Sequence, residues 1–226
     1  MSLWSRRAID HTEPTLGGAL RTIVVRGLLP SVALGVANVA IGRALVRRPG
    51  LQEREAAFIV KLQSRRTRPA DLVARLTSTA SDVPASILHG LVAVALIQRR
   101  THTWRLAALP AVALILEAGL YLVVGALVNR ERPDVPKLDR EQPTSSFPSG
   151  HQGATVALMV VYALLAQDLP SPRLRAAIYA ACLAYPATLA FSRVYVGMHY
   201  PSDVAVGTVN GLATGLLAWS SLHRSA

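Results

Sequence analysis

Long apolar stretches alternate with short polar or basic segments along most of this chain. Six of them approach the roughly 20 residues that a helix needs to cross a bilayer. They cover residues 27–46, 84–98 (extendable backward to residue 80), 105–128, 152–167, 173–191 and 203–222. The pattern therefore predicts an all-α fold, a bundle of six transmembrane helices that forms a single domain over residues 1–226.

The segment of residues 47–82, between the first and second spans, is too polar to cross a membrane. Apolar residues recur in it at helical spacing: Ala57, Phe58, Leu62, Leu72, Val73 and Leu76. This spacing favours amphipathic surface helices that lie on the membrane. A solvated connector is an equally good interpretation of the same residues.

Composition supports a membrane protein. Hydrophobic residues make up 51% of the chain, charged residues only 16%, and the mean hydropathy is +0.35, which is too apolar for an ordinary soluble domain. The formal net charge of +11 is carried mostly by arginine between the apolar stretches. Membrane lipids, whose headgroups attract such flanking charges, are therefore the expected partners, and nucleic acid is not.

The basic residues also predict an orientation. With six spans, the amino-terminal Arg6, Arg7, Arg21 and Arg26, the loop of residues 99–105, and the loop with Arg173 and Arg175 share one side. The positive-inside rule makes that side cytoplasmic. The basic residues of 43–75 argue against this, but long segments carry less weight. We therefore expect a multi-pass protein of the plasma membrane whose other loops face the extracytoplasmic side.

Three short motifs lie in those other loops. They are "NRERP" at residues 129–133, "PSGH" at 148–151 and "SRVYVGMHYPSD" at 192–203. Two crossings separate the two loops, so the four helix ends that carry the motifs must share one face. The residues that this count brings together are Arg132, Ser149, His151, Arg193, His199 and Asp203.

This set suits a phosphate group. Arg132 and Arg193 offer forked donors for phosphate oxygens. Ser149 and Gly150 lie where the fourth helix begins, and free backbone N–H groups at a helix start attract anions. A helix cap explains Ser149 equally well.

His199 and Asp203 are four residues apart. On the first turn of the sixth helix the carboxylate could reach back to the imidazole, fix its tautomer and leave the other ring nitrogen free to attack. His151 is then a second histidine that could protonate a leaving oxygen.

The second and third motifs resemble the signatures of the type 2 phosphatidic acid phosphatase superfamily, and Arg132-Pro133 resembles the end of the first. This likeness, over residues 125–203, identifies the chain as a member of the bacterial integral membrane branch. It implies a phosphatase that needs no metal and no cofactor. His199 would be the nucleophile that forms a phosphohistidine, Asp203 would orient it, and His151 would be the general acid.

The resemblance assigns the phosphoryl oxygens to four residues: Arg132, Ser149, Gly150 and Arg193. The family has a lysine seven residues before the arginine of its first signature, and Gly125 occupies that position here. Arg130, Lys137 or Arg140 could substitute for it. The departure could also mean an altered substrate preference or weak activity.

The function expected from these residues is hydrolysis of a lipid phosphate or diphosphate. Prenyl phosphates, phosphatidic acid and phosphatidylglycerol phosphate all fit as substrates. Two alternatives stay open at this point: phosphoryl transfer to an alcohol through the same histidine, and lipid-phosphate binding without turnover. The resemblance also extends to haloperoxidases that hold vanadate in a similar pocket, but those proteins are soluble, so six apolar spans argue against this third alternative. The sequence does not indicate an oligomeric state.

Overall fold

The computed structural model describes residues 15–140 and 142–223, and within these ranges all regular structure is helical. The first helix, Leu16–Thr22, continues through a π-helical segment, Ile23–Leu28, directly into the second helix, Leu29–Val46. The α-helices are α1 (Leu16–Thr22), α2 (Leu29–Val46), α3 (Pro49–Gln63), α4 (Arg68–Ala80), α5 (Val83–Thr101), α6 (Trp104–Val128), α7 (Gly150–Ala166), α8 (Pro172–Tyr195) and α9 (Pro201–Leu222). The all-α fold predicted from the apolar pattern is confirmed.

The count of six spans is supported only roughly. Among the described residues, three helical runs are long and apolar enough to cross a bilayer: Leu16–Val46, Trp104–Val128 and Pro172–Tyr195. The pair α4 and α5, bent by 62°, would make a fourth. The helix α7 has 17 residues. It is apolar but short, and both α7 and α9 bury polar side chains such as Thr155 and Asn210 inside the bundle.

The most extensive helix–helix contact among the described residues is between α7 and α9. Three glycines of α9 line it, and a methyl group on any of them would collide with the α7 side of the interface. Gly207 lies against the carbonyl of Ser149, and Gly211 lies against the carbonyl of Gly153. Small residues of this kind let helix backbones approach closely in a membrane protein. The close approach fixes the start of α7 beside the start of α9.

The basic loops gather at the other end of the bundle, as the parity of the spans predicts. A buried cluster there joins Ala19 of α1, Leu106 of α6, Leu165 of α7 and Leu222 of α9. The loops with the 99–105 arginines and with Arg173 adjoin these helix ends. Arg6 and Arg7, which entered the prediction of orientation, lie outside the described residues.

The helices α3 and α4 cover the end that carries the three motifs. Ile59 of α3 packs with Val194 and Val204, and Ala74 of α4 packs with Tyr195 and Met198. Residues 47–82 are therefore two helices docked on the bundle, which corrects the solvated-connector interpretation. Their outer apolar side chains are exposed: Phe58, Val60, Leu72, Val73 and Leu76. Such a face is typical of helices at a membrane surface.

Candidate active site

The loop between α6 and α7 (residues 129–149) and the loop between α8 and α9 (residues 196–200) meet at one face. The backbone N–H of Ser149 donates to the carbonyl of Asp203 at 3.1 Å, and that of Leu138 donates to the carbonyl of Val196 at 3.0 Å. The guanidinium of Arg132 donates to the carbonyl of Met198 at 2.7 Å. The convergence that the helix count predicted is therefore present.

His199 is buried in this junction, 2% exposed. Its Nδ1 lies 2.7 Å from the backbone carbonyl of Ser146. A carbonyl can only accept a hydrogen bond, so Nδ1 carries the proton and the lone pair resides on Nε2. The tautomer leaves Nε2 as the nitrogen able to attack an electrophile.

Asp203 does not make the direct bond to His199 that the four-residue spacing suggested. Its Oδ2 lies 4.0 Å from Nδ1. That oxygen instead accepts hydrogen bonds from the Ser146 hydroxyl at 2.6 Å and from the Tyr200 N–H at 2.9 Å. The physical reason is that Ser146 comes between the two side chains. Its hydroxyl binds the carboxylate while its carbonyl holds the imidazole, so Asp203 acts on His199 through this serine.

Arg130 lies behind Asp203. One Nη donates to Asp203 at 2.5 Å and to the Ser202 hydroxyl at 2.8 Å. The other Nη donates to Glu55 of α3 at 3.2 Å, and the guanidinium stacks over the ring of Tyr200. Two carboxylates thus draw Arg130 into the protein, so this geometry does not favour it as a substitute for the missing lysine.

Lys137, the other suggested substitute, donates its ammonium to the carbonyl of Pro133. This bond ties the lysine to its own loop. At Gly125 itself, an added Cβ would make only ordinary contacts, 3.7 Å from Ser145 and 3.8 Å from the carbonyl of Phe147. Packing therefore leaves room for a Cβ at this position.

Arg193 is completely buried, and only part of its guanidinium is occupied. Nη1 donates to the Ser78 hydroxyl at 3.0 Å and to Asp139 at 3.1 Å. Its Nε and Nη2 are buried without a hydrogen-bond partner. These two donors form one edge of the guanidinium fork, which is the geometry that binds two oxygens of one anion.

Ser149 is also buried with an unpartnered hydroxyl. It is the N-cap residue of α7, yet its side chain makes no capping bond. The helix-cap explanation of this serine is therefore wrong. Buried polar atoms are nearly always hydrogen-bonded in proteins, so unpartnered donors on both Ser149 and Arg193 point to a ligand that satisfies them.

Gly150 begins α7 directly after this serine. A Cβ at Gly150 would lie 2.9 Å from the ring of Tyr121, so packing against α6 requires the glycine. The N–H groups of the first helical turn have no intrahelical acceptor, and they favour an anion. The helix start is thus close-packed on one side and supplies backbone donors on the other.

His151 follows on the first turn of α7. Its Nε2 lies 3.0 Å from Oδ1 of Asp82, the residue that precedes α5. The His151 side chain is 10% exposed, whereas that of Asp82 is 46% exposed. A carboxylate that no sequence motif indicated therefore holds this second histidine.

Arg132 joins the two loops at the rim of the site. Besides Met198, it donates to the carbonyl of Thr144 at 3.2 Å and to the Thr144 hydroxyl at 3.1 Å. Its positive charge also helps to lower the pKa of His199. The guanidinium thus has a structural role in the loops as well as an electrostatic effect on the histidine.

The electrostatic surroundings keep His199 neutral. Burial is the largest cause that lowers its pKa well below the ordinary value, and the positive charges of Arg193, Arg132 and His151 lower it further. The hydrogen bond to Ser146 opposes them. A neutral imidazole at neutral pH keeps the Nε2 lone pair available, and the same positive charges attract a phosphate.

Sequence reasoning missed the residues that support these side chains. They are Ser146 beside His199, Glu55 beside Arg130, Asp82 beside His151, and Ser78 and Asp139 beside Arg193. Except for Ser146, which lies two residues before the "PSGH" motif, they come from segments without a motif. Within the described residues, no group of three or more metal-ligating side chains gathers. The expectation of a metal-free reaction stays a prediction.

Comparisons with known proteins agree on one family. The family model described as the PAP2 superfamily matches residues 106–226. A decaprenylphosphoryl-5-phosphoribose phosphatase of Mycobacterium tuberculosis is 37% identical over 134 residues, which are 58% of this chain and 67% of that protein. A lipid A 1-phosphatase of Rhizobium johnstonii is 46% identical over 77 residues, 34% of this chain and 25% of that protein.

Two solved structures share the fold. The transmembrane PAP2-type phosphatidylglycerolphosphate phosphatase from Bacillus subtilis matches with a TM-score of 0.73 at 23% identity, over 83% of this chain and 93% of that one. Aquifex aeolicus LpxE matches with a TM-score of 0.58 at 20% identity, over 72% and 92% of the two chains. At these identities the similarity establishes the helical arrangement.

Proposed function

We propose a specific reaction for this chain, which belongs to the PAP2 superfamily and is a membrane lipid phosphatase of the PAP2 kind. The reaction is hydrolysis of a lipid phosphate ester through a phosphohistidine on His199. The proposal includes the substrate class, the covalent intermediate and the roles of the individual residues.

One observation carries the proposal. The unpartnered buried donors of Ser149 and Arg193 belong to the same site as His199, whose free ring nitrogen is Nε2. If those donors bind the oxygens of a phosphoryl group, they offset part of its negative charge, and its phosphorus would lie in the same site as Nε2 of His199. Electrostatic stabilisation of this kind is a main source of rate in phosphoryl transfer.

In the first step, the Nε2 lone pair of His199 forms a bond to phosphorus while the bond from phosphorus to the lipid oxygen breaks. His151 donates a proton to that oxygen, so the lipid leaves as an alcohol. Arg193, Ser149, Gly150 and Arg132 stabilise the charge on the phosphoryl oxygens.

In the second step, water attacks the phosphohistidine. His151, now neutral, takes a proton from the water, the bond between phosphorus and Nε2 breaks, and inorganic phosphate leaves. Both histidines return to their starting states. The N–H at Nδ1 of His199 stays bonded to Ser146 throughout, and Asp203 supports that serine.

A lipid tail has a path beside this site. An apolar groove of about 700 Å³ lies between α7, α8 and α9 and begins at Gln152, next to His151. Its other lining residues include Val156, Met159, Leu183 and Ala187. The groove supports a substrate whose head enters the site while its hydrocarbon chain stays in the membrane.

Among lipid phosphates we propose a polyprenyl-linked phosphate first. The M. tuberculosis relative, matched over 58% of this chain, is a decaprenylphosphoryl-5-phosphoribose phosphatase. Phosphatidylglycerol phosphate and phosphatidic acid are the next candidates. We further propose that the site faces the extracytoplasmic side of the plasma membrane, because the basic loops lie at the opposite end of the bundle.

The test is phosphate release by the purified full chain in detergent with a chelator present, over a panel of polyprenyl phosphates, polyprenyl-phosphoryl sugar phosphates, phosphatidic acid and phosphatidylglycerol phosphate. We expect release with at least one of them, and a loss of about a thousandfold or more in His199→Ala. His102→Asn, at the opposite end of the bundle, is the matched control. If turnover of a substrate labelled in its phosphoryl group is quenched, the wild-type protein should retain an acid-labile, base-stable label, and His199→Ala should not.

Three other outcomes would overturn parts of the proposal. Full activity in His199→Ala would remove the nucleophile. Phosphate moved to an added alcohol, with no inorganic phosphate, would favour transfer over hydrolysis. Tight binding of lipid phosphates without turnover of any of them would favour a binding protein.

A further inference from the structure

The contact between His151 and Asp82 is the feature that the mechanism above leaves unexplained. The carboxylate comes from the bend between α4 and α5, 69 residues before the histidine. The interaction joins a general-acid candidate to a segment that no motif marks.

The conformation of Asp82 suggests that its side chain is directed to this contact. Asp82 is the N-cap residue of α5, where an aspartate usually accepts a hydrogen bond from the first turn of its own helix. Its side chain makes no capping bond. The carboxylate is bonded to His151 instead of stabilising α5.

The bend that presents Asp82 is anchored on both neighbouring helices. Ser81 shares a hydrogen bond with the hydroxyl of Tyr185 in α8 at 2.7 Å. Thr155 of α7 contacts the Ser81 hydroxyl at 3.5 Å, and Ser78 accepts from Arg193. The position of Asp82 is therefore set by the same helices that hold His151 and Arg193.

The charges around His151 give the carboxylate a chemical purpose. Burial is the strongest influence against a protonated His151 imidazole, and positive groups add to it from two sides, Arg193 from α8 and Arg132 from the loop after α6. His199, from the loop after α8, lies close enough to be affected by His151 as well. A general acid must carry a proton in these surroundings, and Asp82 is the negative group bonded to it.

We propose that Asp82 is a positioning residue for the general acid: it holds Nε2–H of His151, stabilises the imidazolium, and directs Nδ1–H to the leaving oxygen of the substrate. The role rests on the proposed function, because it concerns the departure of the lipid alcohol. Asp82 does not touch the phosphoryl group in this assignment.

Leaving-group dependence tests the role directly. A lipid alcohol needs a proton in order to leave, whereas p-nitrophenolate leaves without one. Because kcat/KM reports the step in which the leaving group departs, we expect Asp82→Asn to lower kcat/KM on a lipid phosphate by about tenfold or more and to change kcat/KM on p-nitrophenyl phosphate by less than about threefold. The alkaline limb of its pH profile on the lipid should move to lower pH, and Asp82→Glu should restore part of the rate.

Asp134→Asn, an exposed carboxylate in the loop after α6, is the matched control. Equal losses on both substrates would mean that Asp82 only maintains the bend, and this would overturn the proposal. Wild-type activity of Asp82→Asn on both substrates would overturn it as well. Each of these outcomes leaves the assignment of His199 untouched.

A measurement without turnover keeps the inference testable if no phosphatase activity is found. Imidazole ¹⁵N NMR of the solubilised chain should show the Nε2–H tautomer of His151 in the wild type, with titration at lower pH in Asp82→Asn. Identical His151 signals and titration in the two proteins would refute the contact. Absence of phosphate release by the wild type would instead refute the proposed function.

Discussion

Arg130 offers the sharpest test of how the site is supported. Its side chain is 1% exposed and bridges Asp203, which is fully buried, and Glu55, which is 11% exposed. Replacement by alanine removes the bonds to both carboxylates and to Ser202. Asp203 would then keep a buried charge without its cationic partner.

The size of the effect follows from this burial. Removing one partner of a buried ion pair costs about 3–5 kcal/mol of unfolding free energy. Asp203 would retain its bonds from Ser146 and Tyr200, so we expect the lower end, about 3 kcal/mol. For a protein of this length that corresponds to a decrease in Tm of roughly 6–12 °C.

The assay combines thermal unfolding of the ligand-free protein in detergent with steady-state kinetics. Arg130→Ala should lower both Tm and kcat, because Asp203 and Ser146 support His199. Arg54→Ala, an exposed arginine of α3 next to Glu55, is the control and should leave Tm unchanged. Adding Asp203→Asn to Arg130→Ala should recover about 1 kcal/mol or more of stability, because the unpaired charge is gone.

A role for Arg130 as a phosphate ligand would give a different pattern. Tm without ligand would stay near the wild-type value, KM would rise, and inhibition by vanadate would weaken. That result, or purely additive losses in the double variant, would refute the reasoning from the buried ion pair.

Three further predictions concern pH, packing and the lipid tail. Because the pKa of His199 lies well below its usual value of about 6.5, the nucleophile stays neutral as pH falls from about 7.5 to 6, and its protonation should not lower kcat/KM in that range. A loss of kcat/KM with a midpoint near pH 6.5 that is traced to His199 would contradict this. Gly211→Ala should lower Tm by several degrees, because the new methyl group collides with the carbonyl of Gly153, whereas Gly119→Ala, with no atom within 4 Å of the new methyl group, should not. Equal Tm values for the two variants would refute the close contact of α7 and α9. Ala187→Trp should fill the groove and raise KM for a long-chain lipid phosphate by about tenfold or more, while leaving p-nitrophenyl phosphate hydrolysis unchanged. An unaltered KM for the lipid would refute the placement of the lipid tail in this groove.

The surface helices α3 and α4 gain a role from the structure. Glu55 bonds to Arg130 and to the start of α9, Ser78 bonds to Arg193, and Asp82 bonds to His151. The segment that covers the site thus also provides polar partners for its charged residues. A change in these helices is therefore expected to alter catalysis without any contact to the substrate.

The sequence by itself determined the helical class and which motif residues share one face of the bundle. Apolar runs of near-spanning length predict helices because backbone polar groups in lipid must be satisfied within each segment. Parity then brings Arg132, Ser149, His151, Arg193, His199 and Asp203 to one face, and this needs only the count of crossings. Those inferences depend on periodicity and order along the chain, which a sequence states directly.

Only the tertiary structure decided which atom bonds to which. The four-residue spacing of His199 and Asp203 allowed a direct hydrogen bond, but Ser146 lies between them, and its backbone carbonyl accepts the hydrogen bond from Nδ1–H. Arg130 was one of three possible substitutes for the lysine missing at Gly125, but it is bonded to Asp203 and to Glu55, which lies 75 residues earlier in the chain. Hydrogen bonds depend on distances of a few tenths of an ångström between segments remote in sequence, and the packing of α3, α4 and the two loops sets those distances.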